Sequence, residues 1–252
     1  MEEFAKYILN EDDLISKIEI IYFLSQKLKI NFDKSIVFKT EIARMFLKYT
    51  KLKVDNNIVL TACLLCNCKK VDDAQKIGKL KTYAKEGAEH LSKLGFDERF
   101  CKICEGVNRY SGLNPREPES DILELIDHFG GMLIDRPERI AFNPDEALIL
   151  LEHRNLKAQN NRYLEEFKKF VNIMENIEIQ GAVSTNVFAR LQKLIRSTKT
   201  VSQFAKQLAL EYSPSVDEKI ESLEGIETII KRKPSRPLFT AESEEKILKH
   251  IK

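Results

Sequence analysis

Five cysteines stand in two groups, Cys63-x-x-Cys66-x-Cys68 and Cys101-x-x-Cys104. Residues three apart on a helix share a face, so Cys63 with Cys66 and Cys101 with Cys104 form a set of four thiolates that could hold zinc. Their surroundings point elsewhere. Structural zinc sites usually carry such pairs on turns, whereas these lie in apolar helical runs where thiols act as small buried hydrophobes. The four histidines, His90, His128, His153 and His250, are far apart in sequence. His128 directly follows Asp127, so the two side chains diverge by about 100° around a helix and do not clasp one ion as an i,i+4 pair can. Glu86 and His90 share a face, but two donors alone make a weak site. No Gly-rich phosphate loop and no Ser-His-Asp arrangement is visible. Lys231, Arg232, Lys233 and Arg236 could touch nucleic acid. Two prolines, no aromatic residue inside the run and the acidic stretch from Glu242 to Glu245 make it read as a solvated linker.

The elements that must position these groups are helices. In the chain of 252 residues apolar side chains recur with a helical period, as at Leu14, Ile18, Ile21, Tyr22 and Leu28, and no segment alternates as a strand. Periodicity and breakers predict helices over 14–28, 34–51, 56–68, 73–93, 97–110, 119–134, 145–153 and 161–175, followed by 184–197, 200–211, 215–231 and 240–251. Gly95 is placed to cap the helix ending at Leu94. Asn143-Pro144-Asp145-Glu146 sets proline at the first helical position with acids after it. Composition agrees with long solvated helices: 43% of residues are apolar and 32% charged, with 9 Gly and 7 Pro. Lys and Arg number 41 against 39 Asp and Glu, a net +2 too small to argue for a polyanionic partner or an acidic tail. The longest nearly apolar run, Ile58 to Cys66, is about half of the roughly 20 residues needed to span a bilayer. The acidic start, Met1-Glu-Glu, lacks the basic character of a secretory signal, so the cytoplasm is the expected compartment. An odd number of cysteines in a chain of this length suits reduced thiols.

Three stretches read together resemble the HD phosphohydrolase superfamily and its HD-GYP branch. Ala62-Cys-Leu-Leu-Cys-Asn-Cys-Lys-Lys70 stands where that family has an apolar helix ending in His-Asp-x-Gly-Lys. Lys81-Thr-Tyr-Ala-Lys-Glu-Gly-Ala-Glu-His-Leu91, with Lys93-Leu-Gly-Phe96, is similar to a His-bearing helix and its short exit. Asp121 to Arg139, followed by Pro144-Asp-Glu-Ala-Leu148, resembles the helix carrying the last metal-binding Asp, an Asp-Arg-Pro turn and a further helix. The resemblance is clearest over 34–175. It implies an all-α, HD-like multi-helix bundle over residues 1–175, with residues 176–252 as a helical C-terminal extension.

Active members of that branch look like metal-dependent cyclic di-GMP phosphodiesterases, in which divalent ions held by imidazoles and carboxylates activate a water. Laid onto this chain, the family's ligand positions fall on Phe38, Cys66 and Asn67, Tyr83, Gly106 and Val107, and Asp127. Only Asp127 keeps the expected type. The Gly-Tyr-Pro signature is likewise missing after Arg109-Tyr110-Ser111-Gly112. The resemblance therefore implies a vestigial pocket of Cys66, Asn67, Lys70, Arg109 and Asp127, with no catalytic residue, metal or cofactor. The expected function is a regulatory or scaffolding module that binds a protein partner or a second copy of itself, without nucleic acid or membrane. Two alternatives stay open: a phosphohydrolase using a rearranged metal site of Asp127, Cys66, Cys104 and His128, and a nucleotide sensor that binds without hydrolysis.

Overall fold

A computed structural model describes residues 2–70, 77–108, 111–156, 161–176, 186–209 and 237–250. The fold is all-α, with twelve helices and no strand among the described residues. They are α1 (Glu2–Leu9), α2 (Leu14–Leu28), α3 (Lys34–Thr50), α4 (Asn56–Leu65), α5 (Ile77–Lys93), α6 (Glu98–Glu105), α7 (Pro118–Met132), α8 (Pro144–Leu156), α9 (Leu164–Asn176), α10 (Val187–Ser197), α11 (Val201–Gln207) and α12 (Ala241–Lys249). No helix among the described residues is long and apolar enough to cross a membrane.

Local chemistry accounts for where the helices begin. Asp13, Asp33, Asp55 and Asp97 each accept a hydrogen bond from a backbone N–H of the following turn, which satisfies donors that a helix start leaves open. At α8, Asn143 Oδ1 accepts from Glu146 N at 2.8 Å and Glu146 Oε2 accepts from Asn143 N at 3.2 Å, a reciprocal cap around Pro144. Gly95 follows α5 with φ 89°, and Phe96 N–H donates back to Leu91 O at 3.2 Å, as expected of a glycine that turns a chain out of a helix.

Several boundaries differ from expectation; the helix expected over 56–68, for example, ends at Leu65. The first helix, α1, was not foreseen, because eight residues with only a short apolar stripe carry a weak periodic signal. It is held by tertiary contacts: Phe4 and Ile8 are buried, and the Lys17 ammonium donates to Ile8 O at 2.6 Å. The helix expected over 97–110 stops at Glu105, where Gly106 meets α7. A Cβ on Gly106 would lie 2.3 Å from Ser120 Oγ, so only glycine permits that approach. The helix expected over 215–231 and the basic run 231–236 lie outside the described residues.

The core is one continuous apolar cluster. α3 runs through its middle, packed against α4, α7 and α9, and buries Ile36, Val37, Phe38, Ile42, Ala43, Met45 and Phe46. Phe46, Phe129, Phe167, Phe170 and Phe188 form a ring cluster with edge-to-face or tilted contacts between 5.1 and 6.0 Å. Phe188 belongs to α10, so the described part of 176–252 contributes to the same core. Lys34, at the start of α3, reinforces that connection by donating from Nζ to Ile195 O at 2.9 Å and to Thr198 O, carbonyls that the end of α10 leaves open.

Candidate functional site

Asp127 lies on α7 where this helix faces α3 and the end of α4. Its carboxylate is ringed by donors. Lys39 Nζ lies 2.6 Å from Oδ1, Asn67 Nδ2 donates to the same oxygen at 2.8 Å, and Lys70 Nζ lies 3.2 Å from Oδ2. The turn after α4 delivers Asn67 and Lys70, while Lys39 crosses from the first half of α3. Its path depends on Gly130, one helical turn beyond Asp127: a Cβ there would sit 2.6 Å from Lys39 Cγ. Glycine at 130 opens the channel through which the lysine stem lies against α7.

Burial alone would raise the Asp127 pKa, because a carboxylate loses water there. The ammonium groups of Lys39 and Lys70 overcome that penalty, aided by the Lys39 hydrogen bond and by His128, and hold the carboxyl well below its ordinary value. Asp127 is thus anionic, met by three donors, and a weak base. The Lys39 side chain is 8% exposed and that of Lys70 is 21% exposed, so Lys70 is the member of the pair that solvent reaches. Lys70 also stands 5.3 Å over the ring of Tyr83. Burial, with the negative charge of Asp127, pushes the Tyr83 phenol upward and keeps its proton in place. Buried Asn67 Oδ1 receives no hydrogen bond, an open acceptor at the edge of the cluster.

The structure therefore brings together Asn67, Lys70 and Asp127, with Cys66 close enough for its charge state to feel Asp127, Lys39 and Lys70. Arg109 lies outside the described residues. Phe38 is buried in the core, and its neighbour Lys39 is the residue that reaches Asp127. Sequence reading passed over Lys39, since a lysine in an apolar helix ordinarily directs its charge to water. Nothing local marks a partner 88 residues away.

The thiols are kept protonated. Burial pushes Cys66 up to about 12 and Cys68 and Cys101 up to about 11, and holds Cys63 and Cys104 well above the ordinary thiol value. Cys66, Cys68 and Cys101 direct their sulfurs to the backbone carbonyls of Cys63, Gly87 and Phe96. Among the described residues no three His, Cys, Asp or Glu side chains are grouped to hold a metal ion. Neither Cys63, Cys66, Cys101 and Cys104 nor Asp127, Cys66, Cys104 and His128 are grouped in this way among the described residues. The sulfurs sit in apolar packing, and the carboxylate is already held by ammonium groups.

A second charged cluster lies at the start of α7. Arg116 is paired with Asp121 at 3.0 Å and Glu124 at 3.4 Å, Arg162 with Asp121 at 2.8 Å, and Asn161 donates to Asp121 O at 2.8 Å. This cluster fastens the 111–118 connection and the segment before α9 to α7. No family model, curated protein or solved structure matches the chain.

Proposed function

We propose that the chain is a catalytically inactive, HD-GYP-like regulatory or scaffolding module that acts by binding another protein chain. The observation carrying this reading is the Lys39 ammonium, 2.6 Å from the one carboxylate that the sequence resemblance assigns to metal binding. A protein cation supplies the positive charge there, and a metal ion would have to displace it from a desolvated carboxylate. Protonated thiols and a protonated phenol around the cluster offer no competing nucleophile or anionic ligand. What the surface offers a partner includes Ile140 and Ile149, 82% and 65% exposed, in the turn before α8 and on α8 itself.

The test has a chemical arm and a binding arm. The purified full chain, given an aryl phosphodiester with manganese, is expected to show turnover no higher than buffer, both as wild type and as Lys39→Met. Turnover that disappears in Asp127→Asn overturns the reading. In the binding arm, a host protein retained by the immobilised full chain is expected to be lost from Ile140→Asp/Ile149→Asp and kept by Asp127→Asn. A non-hydrolysing nucleotide sensor is the second reading, and the solvent-facing position of Lys70 favours it. Its mark is a nucleotide-dependent rise in Tm that Lys70→Glu removes.

A further inference from the structure

Residues 237–250 form a short self-contained unit seated on the body of the protein. Thr240 and Ser243 cap α12 reciprocally, and its surface ion pairs, Lys246 with Glu242 and Lys249 with Glu245, lie wholly within the helix. What it gives the body is a small apolar face. Leu238, Ser243 and Ile247 are buried, Phe239 packs 5.5 Å from the ring of Tyr22 and 6.4 Å from that of Phe23, and His250 stacks on Tyr7 at 4.3 Å. The receiving groove is made by α1, α2 and α11. Lys206 of α11 stands 5.9 Å over the Phe239 ring, and buried Glu19 of α2 accepts the Phe239 backbone N–H.

Departure of this unit would take a hydrogen bond from the buried Glu19 carboxylate and uncover Tyr22 and Phe23. An identical segment from another chain would restore each of these contacts without new chemistry, which is why exchange of one element between protomers is a low-cost route to a dimer. Connectivity permits it. Residues 210–236 separate Ala209 from Pro237, and at roughly 3.3 Å per extended residue that length of chain can reach up to about 90 Å. We propose that the α1/α2/α11 groove is a docking site for the 237–250 segment of a second copy, so that two chains pair by reciprocal exchange of α12. The proposal rests on the binding reading only in naming a partner. Its failure leaves a different protein partner intact, and a hydrolytic activity would leave the exchange intact.

The experiment uses two full-length variants, Lys206→Cys and Ala241→Cys, which put exposed thiols on the groove side and on the segment side; the five native cysteines are buried. The two are mixed, incubated at high concentration and treated with a short bismaleimide. The expected result is a covalent species of twice the chain mass containing one copy of each variant, lost when Phe239→Asp is added to the Ala241→Cys chain. A double variant carrying both cysteines that links only to itself, with no mixed species at any concentration, overturns the exchange. So does a mixed species insensitive to Phe239→Asp, and so does the absence of linking in both arrangements.

Discussion

The molecule buries lysines in two opposite ways. At the α3–α7 contact, Lys39 meets a carboxylate, so two charges share one desolvated site and each stabilises the other. At the α1–α2–α4 contact, fully buried Lys17 meets only neutral acceptors, Ile8 O at 2.6 Å and Thr61 Oγ1 at 2.9 Å. Burial pulls the Lys17 pKa down to about 8, with the more distant Glu11, Asp12 and Asp55 opposing that fall. The difference teaches that the partner's charge decides what a buried ammonium does: Lys39 neutralises a carboxylate, whereas Lys17 ties two neutral oxygens together. One arrangement closes a candidate site. The other fastens the end of a marginal helix.

Removing Lys39 tests the first arrangement most severely. Lys39→Met leaves Asp127 buried without its nearest cation, and stability measured by urea unfolding at neutral pH is expected to fall by about 3 kcal/mol, as for other broken buried pairs. Adding Asp127→Asn is expected to return part of that loss, giving a favourable coupling energy in the double-mutant cycle. Equal losses that simply add would show that the pair is not an energetic unit. Since the folded pKa of Asp127 lies below its unfolded value, its contribution is complete above about pH 4 and is lost as pH falls towards the folded value. Asp127→Asn is expected to flatten the acid-induced loss of stability in that window.

A smaller change sharpens the same point. Gly130→Ala introduces a methyl 2.6 Å from Lys39 Cγ and is expected to cost about 1–2 kcal/mol in the wild type. In a Lys39→Ala background the obstruction is gone, and the substitution is expected to become neutral or stabilising, as alanine is a better helix former than glycine. Thermal unfolding of the four proteins measures both signs. An unchanged cost in the two backgrounds would place the strain elsewhere.

The smallest expected effect concerns Lys17. Its folded pKa is depressed, so the unfolded chain binds more protons between pH 8 and 10.5, and the stability this group allows rises with pH across that range. Comparing wild type with Lys17→Met by urea unfolding at pH 7.5 and 9.5, the wild type is expected to gain on the order of 1 kcal/mol relative to the variant at the higher pH. A difference independent of pH would mean that the ammonium does not sense its burial.

Much of the helical framework was legible in the sequence, because starts such as Asn143-Pro144 and breakers such as Gly95 act through their immediate neighbours. The site was legible only in part. Asp127, Asn67 and Lys70 came from a resemblance that the structure leaves as a proposal, whereas Lys39 carried no local sign of its role. What assigns it is a tertiary approach allowed by Gly130, and a glycine within a helical Gly-Gly pair does not reveal which side chain uses the space. α1 was hidden for a related reason: its stability comes from Lys17 and from the packing of Phe4 and Ile8, not from its own eight residues.

The clasp that Lys34 makes with the end of α10 has a consequence for how the molecule is made. α3 is synthesised before α10, and the carbonyls of Ile195 and Thr198 that receive its first lysine are joined to the chain more than 160 residues later. A nascent polypeptide can wind this helix long before it can fasten it. The segment bearing Lys39 thus leaves the ribosome well before α10 and gains its full set of neighbours only when α10 follows, which makes the arrival of α10 the event that completes this part of the core.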